Sequence, residues 1–389
     1  MNREVEIALL RGCLELVQRG APPATEPETL VPVKQYLDPA RFAAERAALF
    51  ASQPMVVGHG AEIREPGDFV TRLVLDQPAI LVRDEAGRAR AFLNVCRHRG
   101  ATVELRERGH CKRFTCPYHA WTYDTAGRLA AIRHKAGFPS LDRATSGLVE
   151  LACHELAGLM WVCPDPSRAE APPQPDDLRL AAELEGLLGG LTRADEALVF
   201  ASTTRVYRAN YKLIVDGGLE SYHFRVAHRD TVGPFFADNV HSYEPIGRHL
   251  RTLLPRLSIL DLASRPEDEW RIREASHLVY SVAPNASVLV QEGHVDVILN
   301  RPLAVDATEV TILSVVPRPG EPGHSERAAA FWTKNHAFTA RTLDEDFVLA
   351  EQIQRGMASG ANESFRFANF EGALTAWHRQ LDARLAGST

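Results

Sequence analysis

The chain has 389 residues, of which 45% are hydrophobic and 24% charged, ordinary values for a globular protein and a natural length for two domains. The formal net charge of −6 gives no support for nucleic-acid binding, which favours a basic surface. No run of about 18 uncharged apolar residues is present and the charged N-terminus does not resemble a signal peptide, so we expect no membrane span. Six cysteines in a large chain without an export signal indicate reduced thiols and a cytoplasmic location.

The first part of the chain is predicted to be helical and the second all-β. Two helices are predicted, at 4–18 and at 39–50, because both stretches show amphipathic periodicity and capping residues. From 55 to 165, short runs rich in Val, Ile, Phe and Tyr alternate with turn signals, which is typical of a small β-domain. Hairpins are predicted over 79–95 and from Thr122 onward.

The rest of the chain is predicted to be an α+β domain. Five prolines between 164 and 177 indicate a linker. The pattern beyond it predicts strands near 199–208, 278–282, 286–300 and 309–317. It predicts helices at 211–223, at 327–358 with a break, and at 370–385, so that a long C-terminal helix is available to cover a sheet. The expected domain boundaries are 1–54, for N-terminal helices that pack on the C-terminal domain, 55–165 and 166–389.

Two mixed Cys-His pairs are the strongest chemical signal. Cys96-x-His98 and Cys116-x2-His119 are separated by 17 residues. A Rieske [2Fe–2S] centre holds one iron with two thiolates and the other with two imidazoles. Zinc fingers instead usually pair cysteine with cysteine and histidine with histidine. The sequence therefore predicts an iron–sulfur cluster on these four residues, with Arg97, Arg99, Tyr118 and Trp121 around it.

A second candidate metal site follows further along the chain. On a continuous helix, Asp216, Glu220 and His223 would share one face, and His228 follows His223 by five residues. Two histidines and one carboxylate with open positions form the facial triad of non-haem Fe(II) oxygenases. Asp346 is the predicted third ligand, because it falls on the apolar face of the long C-terminal helix, where a carboxylate needs a strong partner. The alternative is a carboxylate hydrogen-bonded to the backbone at the rim of that face.

These motifs resemble the large (α) subunits of Rieske non-haem iron oxygenases, the aromatic-ring-hydroxylating dioxygenase family. Residues 94–101 and 116–123 are similar to its Rieske signature. Asn210-Tyr211-Lys212, followed by Glu220, His223 and His228, is similar to its mononuclear-iron motif. Glu345-Asp346, followed by Glu351 and Gln354-Arg355-Gly356, is similar to the segment that supplies the third ligand.

The resemblance implies an α+β protein in which an all-β Rieske iron–sulfur domain is joined to a helix-grip (START-like) catalytic domain with an antiparallel sheet. It implies a [2Fe–2S] cluster, a mononuclear Fe(II), O2 and a small organic substrate, with a role in aromatic hydrocarbon catabolism. A separate NAD(P)H-dependent reductase or a ferredoxin would supply electrons, since the chain has no dinucleotide-binding fingerprint. It further implies a homotrimer, with or without a small β subunit, in which a cluster serves the iron of a neighbour through Glu220. Asp216 is the alternative bridge, and Asn210 is a further catalytic candidate.

Some alternatives remain open. Most ring-hydroxylating members carry Asp where this chain has Glu220, whereas some relatives that oxidise quaternary ammonium compounds carry Glu, so an N- or O-demethylase or a quaternary-ammonium monooxygenase is the second reading. Other classes are a Rieske electron carrier without oxygenase activity and a lipid-binding helix-grip protein with structural zinc. Candidate pocket residues are Phe224, Phe235, Phe236, Val288, Val290 and Val297. Candidate partners for a substrate carboxylate are Arg225, Arg229, Arg248 and Arg251.

Overall fold

A computed structural model describes residues 1–20, 22–318 and 326–387, and its mixed α+β architecture confirms the predicted fold class. The helices in chain order are α1 (Arg3–Arg19), α2 (Lys34–Leu37), α3 (Pro39–Glu45), α4 (Pro175–Leu188), α5 (Tyr211–Asp216), α6 (Phe224–Ala227), α7 (Ile272–Ala275), α8 (Glu326–Met357) and α9 (Gly372–Ala386). A π-helical turn, Arg46–Ala51, extends α3.

The two N-terminal helices form where the sequence predicts them. Asn2 caps α1, since its side chain accepts a hydrogen bond from the Val5 N–H, and Gly20 ends the helix in the left-handed conformation with φ of 64°. Asp38 caps α3 in the same way, and Pro39 occupies its first position. The buried face of α1 packs against α7 and β-strand residues of the C-terminal part.

The strands of the N-terminal half are β1 (Thr29–Pro32), β2 (Met55–His59), β3 (Asp68–Val74), β4 (Gln77–Arg83), β5 (Ala89–Leu93), β6 (Arg108–His110), β7 (Arg113–Thr115), β8 (Thr122–Asp124), β9 (Leu129–Ala131), β10 (Glu150–Leu151), β11 (Cys153–Leu156) and β12 (Leu159–Val162). They form sheets with the orders β10-β5-β4-β3-β6, β7-β8-β9 and β11-β12-β2. Both predicted hairpins are confirmed, with Ile80 opposite Phe92 in one and Tyr123 opposite Leu129 in the other.

The C-terminal half is built on one large antiparallel sheet. Its strands are β13 (Ala197–Tyr207), β14 (Ser242–Ile246), β15 (His249–Pro255), β16 (Ser276–Val282), β17 (Ala286–Val290), β18 (Val295–Ala304) and β19 (Ala307–Pro317). A later strand, β20 (Ser364–Phe367), lies outside this sheet. The sheet order is β13-β19-β18-β17-β16-β15-β14, and β20 pairs with β1. The long helix α8 packs over this sheet and against α5, as the sequence predicts.

Two helix predictions need correction. The helix predicted over 211–223 ends at Asp216, because Gly217 and Gly218 follow and the Gly218 N–H closes a tight turn on the Val215 carbonyl. The break predicted within 327–358 is absent, since α8 runs uninterrupted and no glycine or proline occurs before Gly356.

Other elements were missed or merged in the sequence prediction. The predicted strand 286–300 is two strands joined by a turn in which the Gln291 N–H donates to the His294 carbonyl. Strands β14 and β15 have no counterpart in the prediction. The predicted linker 164–177 overlaps the start of α4. Leu180, Leu184 and Leu188 of this helix recur at helical spacing and are buried in the core on the large sheet.

One core joins the two halves of the molecule. It includes Val57 and Val70 from the N-terminal sheets, Ile214 from α5, and Phe347 from α8. A separate small core of aromatic residues lies under the two Cys-His loops. Within the described ranges, no helix is both long and apolar enough to cross a membrane.

Candidate metal centres and substrate cavity

The two Cys-His loops share one backbone turn. The carbonyls of Cys96 and Cys116 each accept a hydrogen bond from the residue four positions later, Gly100 in the first loop and Ala120 in the second. Both later residues are left-handed, with φ of 77° and 58°, a conformation that glycine adopts freely. The repeated turn places both histidines at one shared tip.

The side chains of this site separate into a buried and an exposed pair. The thiols of Cys96 and Cys116 are buried, whereas the imidazoles are partly exposed, with His98 Nδ1 3.1 Å from His119 Nδ1. All six cysteines are free. These four ligand atoms do not lie within 4.8 Å of one another as a group, which one zinc ion would need. Two thiols behind two imidazoles instead fit the two irons of a [2Fe–2S] cluster.

Aromatic side chains enclose this site. Trp121 stacks on His98, with 5.0 Å between ring centroids and 8° between planes, and Tyr118 lies over His119. The Tyr123 hydroxyl accepts a hydrogen bond from the Arg97 N–H and lies 3.4 Å from Cys96 Sγ. Sequence reasoning missed Tyr123, although it is the last residue of the second motif. Hydrogen bonds near the cluster sulfurs tune the reduction potential of such centres.

The second site brings together the three predicted metal ligands. His223 precedes the one-turn helix α6 and His228 follows it, so a single helical turn separates the two histidines. Asp346, from α8, places Oδ1 at 2.9 Å from His228 Nε2 and 3.3 Å from His223 Nε2. The three ligand atoms lie within 4.8 Å of one another.

Each histidine also contacts a carboxylate through Nδ1, the ring nitrogen on the side away from Nε2. Glu220 Oε1 is hydrogen-bonded to His223 Nδ1, and Glu345 Oε2 lies 2.8 Å from His228 Nδ1. Glu345 also accepts a hydrogen bond of 2.6 Å from the Thr231 hydroxyl. Metal-binding histidines characteristically make such contacts through the nitrogen that does not bind the metal. Sequence reasoning placed Glu345 outside the site, and its adjacency to Asp346 was the available signal.

The donor set fits a divalent metal. His223 Nε2 is buried and makes no hydrogen bond among the described residues, so a metal would satisfy an otherwise orphaned atom. Burial lowers the pKa of His223, but its contacts with Asp346 and Glu220 outweigh burial and raise that pKa to about 10. The metal-free site therefore holds a proton, which a metal must displace. Two imidazoles and one carboxylate are the ligands of non-haem iron sites.

The three residues predicted as catalytic have different environments. Glu220 contacts the ligand set through His223. Asp216 instead accepts a hydrogen bond from the Tyr36 hydroxyl at 2.8 Å and lies 3.0 Å from His378 Nε2. Asn210 caps α5 and donates to the backbone carbonyls of residues 36 and 305. Neither residue belongs to the ligand group or lines the cavity, and their catalytic role stays a prediction.

A cavity of about 530 Å³ opens onto this site. It lies between α8 and the large sheet, and His228, Asp346 and Glu220 form part of its wall. Its volume is within the range of sites that bind small organic molecules. The further lining residues include Phe224, Phe235, Phe236, Leu254, Arg256, His277, Val279, Leu289, Gln291, His294, Ile298, Asn335, Phe338 and Leu343.

The predicted pocket residues are correct in part. Phe224, Phe235 and Phe236 line the cavity, but Val288, Val290 and Val297 lie in the core on the other face of the sheet. Alternate residues of a strand point to opposite faces, so Leu289 and Ile298 line the cavity instead.

The arginines predicted to meet a substrate carboxylate lie elsewhere. Arg225 and Arg229 are exposed and pair with neighbouring aspartates. Arg248 pairs with Asp177, and Arg251 with Glu183 and Glu244, outside the cavity. Arg256, which sequence reasoning did not single out, lines the cavity.

Comparisons with known proteins agree with this architecture. Residues 53–142 match the Rieske [2Fe-2S] domain, and residues 194–387 match the ring hydroxylating alpha subunit (catalytic domain). A solved quaternary ammonium Rieske monooxygenase in complex with L-carnitine superposes with a TM-score of 0.73 at 25% identity, covering 91% of this chain and 94% of that chain.

Two curated relatives are oxygenase subunits. The glycine betaine monooxygenase oxygenase subunit of Chromohalobacter salexigens is 35% identical over 198 residues, which are 51% of this chain and 43% of the relative. The carnitine monooxygenase oxygenase subunit of Acinetobacter pittii is 36% identical over 200 residues, which are 51% of each. The matched part of the chain thus spans about half the length of these relatives.

Both domain types occur together in the order that the motifs indicate, and together they imply a [2Fe–2S] cluster and a mononuclear iron. The chain therefore belongs to the family of Rieske oxygenase α subunits, with a Rieske domain followed by the ring-hydroxylating catalytic domain.

Proposed function

We propose that this chain is the terminal oxygenase component of a multicomponent enzyme. It takes electrons from a separate NAD(P)H-dependent reductase or ferredoxin and hydroxylates a small organic substrate with O2. One observation carries the proposal: His223, His228 and Asp346 converge at the wall of an organic-sized cavity. A Rieske electron carrier without oxygenase activity has no use for such a site.

Some residues would hold the metals, and others would position the substrate. His223, His228 and Asp346 would hold the iron, which supplies O2 activation when it is bound. Glu220 and Glu345 fix the two imidazoles in orientation. The Phe224 and Phe236 rings, 5.5 Å apart, would position the substrate and exclude water. Cys96, Cys116, His98 and His119 would hold the cluster, which supplies single electrons.

A quaternary-ammonium monooxygenase is the second candidate, and two observations favour it. The named relatives act on glycine betaine and carnitine, and their names do not support the expected role in aromatic hydrocarbon catabolism. The Phe224 ring, which contacts both His223 and His228, would attract a trimethylammonium group, since aromatic faces attract such cations.

The assembly is part of the proposal. We propose a homotrimer, with or without a small β subunit. We also propose that each chain is divided into three parts, 1–54, 55–165 and 166–389. Within one chain, His98 and His119 contact each other and nearby aromatic rings but not Glu220. This supports an electron path that runs through Glu220 of a neighbouring subunit. The free cysteines support a cytoplasmic location.

The test combines spectroscopy with turnover. The purified protein should contain iron and sulfide, and its reduced form should give a Rieske EPR signal of low average g. With a reductase, it should consume NADH over a panel of aromatic acids, aryl ethers and methylated amines, and yield hydroxylated or demethylated products. A colourless protein that binds zinc would refute the proposal.

Replacing one iron ligand separates the two centres. We expect His223→Ala to abolish turnover while leaving the Rieske EPR signal intact, because His223 contacts only the second site. His110→Ala is the matched control, since His110 is mostly exposed and pairs with Asp68. Loss of the cluster signal in His223→Ala would show that the two sites are misassigned.

A further inference from the structure

The cavity has two chemically different ends. One end holds His228 and Asp346. The lining continues along α8 to Asn335, eleven residues before Asp346, which is about 16 Å at the rise of an α-helix. His294 also lines the cavity and packs its ring against Trp332 of the same helix. The end of the cavity near Asn335 is therefore farther from the metal ligands than the width of one small molecule.

An apolar band joins the two ends. Ring contacts run from His228 to Phe224, then to Phe236, then to His277, with successive centroids 5.3, 5.5 and 5.2 Å apart. Leucine, valine and isoleucine side chains of the sheet complete this band. A ligand that spans the cavity must have an apolar middle.

The far end carries a weakly paired cation. Arg256 is the only lysine or arginine among the described residues that line the cavity. Its guanidinium approaches Glu292 at 3.9 Å, and that carboxylate is two-thirds exposed. So distant a contact with a solvated carboxylate leaves most of the binding capacity of the guanidinium unused.

The backbone holds Arg256 at this position. Its N–H donates to the Ala275 carbonyl at 2.9 Å, and it forms an isolated bridge with Phe236. The nearby Arg273 is engaged differently, since its Nε donates to the Gln291 carbonyl and it does not line the cavity.

The groups around Arg256 are polar. Burial lowers the pKa of His277 to about 4, so its imidazole is neutral near pH 7, and it is hydrogen-bonded to Gln291. His294 is only 6% exposed, and its Nε2 lies 3.4 Å from the buried carboxylate of Asp296. Both imidazoles therefore have partners, and the guanidinium of Arg256 is the weakly paired group at this end.

We propose that Arg256 is a specificity-determining residue that binds a carboxylate on the substrate, at the end of the cavity opposite the metal ligands. The substrate class is then an organic acid whose apolar body crosses the aromatic band and reaches the iron end. This inference rests on the proposed oxygenase function and adds the substrate class to it.

The test measures binding without turnover. The holoenzyme, kept under argon without reductase, is titrated in a calorimeter with phenylalkanoates from phenylacetate to 6-phenylhexanoate and with the matching primary amides. We expect at least one acid to bind about tenfold or more tightly than its amide, as a charge-assisted contact would give. Arg256→Gln should remove this preference and leave amide affinity within about twofold, while Arg256→Lys keeps part of it.

Two further variants serve as controls for this experiment. Glu292→Gln should strengthen acid binding about two- to threefold, because it removes the competing carboxylate of an exposed residue. Arg265→Gln, an exposed arginine outside the cavity, should change neither affinity.

The inference is overturned if no acid is preferred in the unaltered protein, or if Arg256→Gln weakens acid and amide equally. It is also overturned if neither Glu292→Gln nor Arg256→Lys alters acid affinity. Because calorimetry needs no oxygenation, failure of the proposed function would appear separately, as a missing EPR signal or absent turnover.

Discussion

At the scale of single residues, the histidines around the active-site cavity occupy two different environments. His228 is buried and His223 is partly buried, and each directs Nε2 toward Asp346 while Nδ1 contacts a second carboxylate. His277, on the cavity wall, has an amide partner and the charge of Arg256 nearby, so burial and that charge lower its pKa to about 4. The carboxylates around His223 and His228 favour a bound cation, whereas the surroundings of His277 keep its imidazole neutral.

The low pKa of His277 predicts a pH dependence of stability. Between the ordinary value of 6.5 and about 4, the unfolded chain binds a proton at this imidazole and the folded chain does not. Its contribution to the free energy of unfolding is therefore complete above pH 6.5 and is lost as the pH falls toward 4, by up to roughly 3 kcal/mol.

We expect His277→Gln to be less stable than the unaltered protein at pH 7, because it loses packing and the Gln291 contact, but to lose less stability between pH 6.5 and 4.5. Urea unfolding at several pH values measures this difference. His110→Gln serves as the exposed-histidine control, and equal pH dependence of all three proteins would contradict the prediction.

The long helix α8 organises the iron site at the scale of elements. It supplies Asp346 to both histidines and, from the adjacent position, Glu345 to His228 and Thr231. The segment that carries the histidines contains only the single turn of α6 and cannot fix their orientation alone. Adjacent residues on a helix point about 100° apart, so one helix can reach both the Nε2 and the Nδ1 side of His228.

This arrangement predicts a specific loss in Glu345→Gln. Without the carboxylate, His228 is held more weakly, and we expect iron affinity to fall about 10- to 100-fold while the cluster is retained. Iron remaining after dialysis against a chelator, measured beside the cluster absorbance, tests this. Asp344→Asn is the neighbouring control, because Asp344 contacts Arg205 and Tyr207 rather than a metal ligand. Equal iron loss in both variants would contradict the assignment of Glu345.

The two metal centres occupy separate regions at the scale of the whole molecule. The cluster loops lie over their own small aromatic core, whereas α5 and α8 lie in the core that joins the two halves. None of the described contacts of His98 or His119 reaches the segment 211–228. Electron transfer over this separation is the physical reason to propose an oligomer.

Complementation between two inactive variants tests the proposed transfer. Cys96→Ser should lose the cluster and Asp346→Asn the iron, so each alone should be inactive. Co-expression of the two should restore turnover well above background, because a mixed oligomer contains an intact cluster next to an intact iron site. No recovery in oligomers shown to contain both variants would indicate transfer within one chain.

The sequence by itself predicted the candidate metal ligands and the long helix that carries one of them. Cys96, His98, Cys116 and His119 lie in two short motifs, and the apolar periodicity of α8 placed Asp346 on its buried face. These assignments depend on spacing within a few turns of backbone, which local sequence controls. The helix end at Asp216 was missed, although Gly217 and Gly218 directly after it were the local signal for it.

Only the tertiary structure decided the wall of the cavity. Arg256, His277 and Gln291 come from the ends of different strands and meet because those strands pair. Leu289 rather than Val288 faces the cavity, since a shift of one residue in register would exchange the two faces of the strand. Ligand identity is local and could be predicted, whereas substrate contacts depend on strand register, which is decided by pairing across the whole sheet.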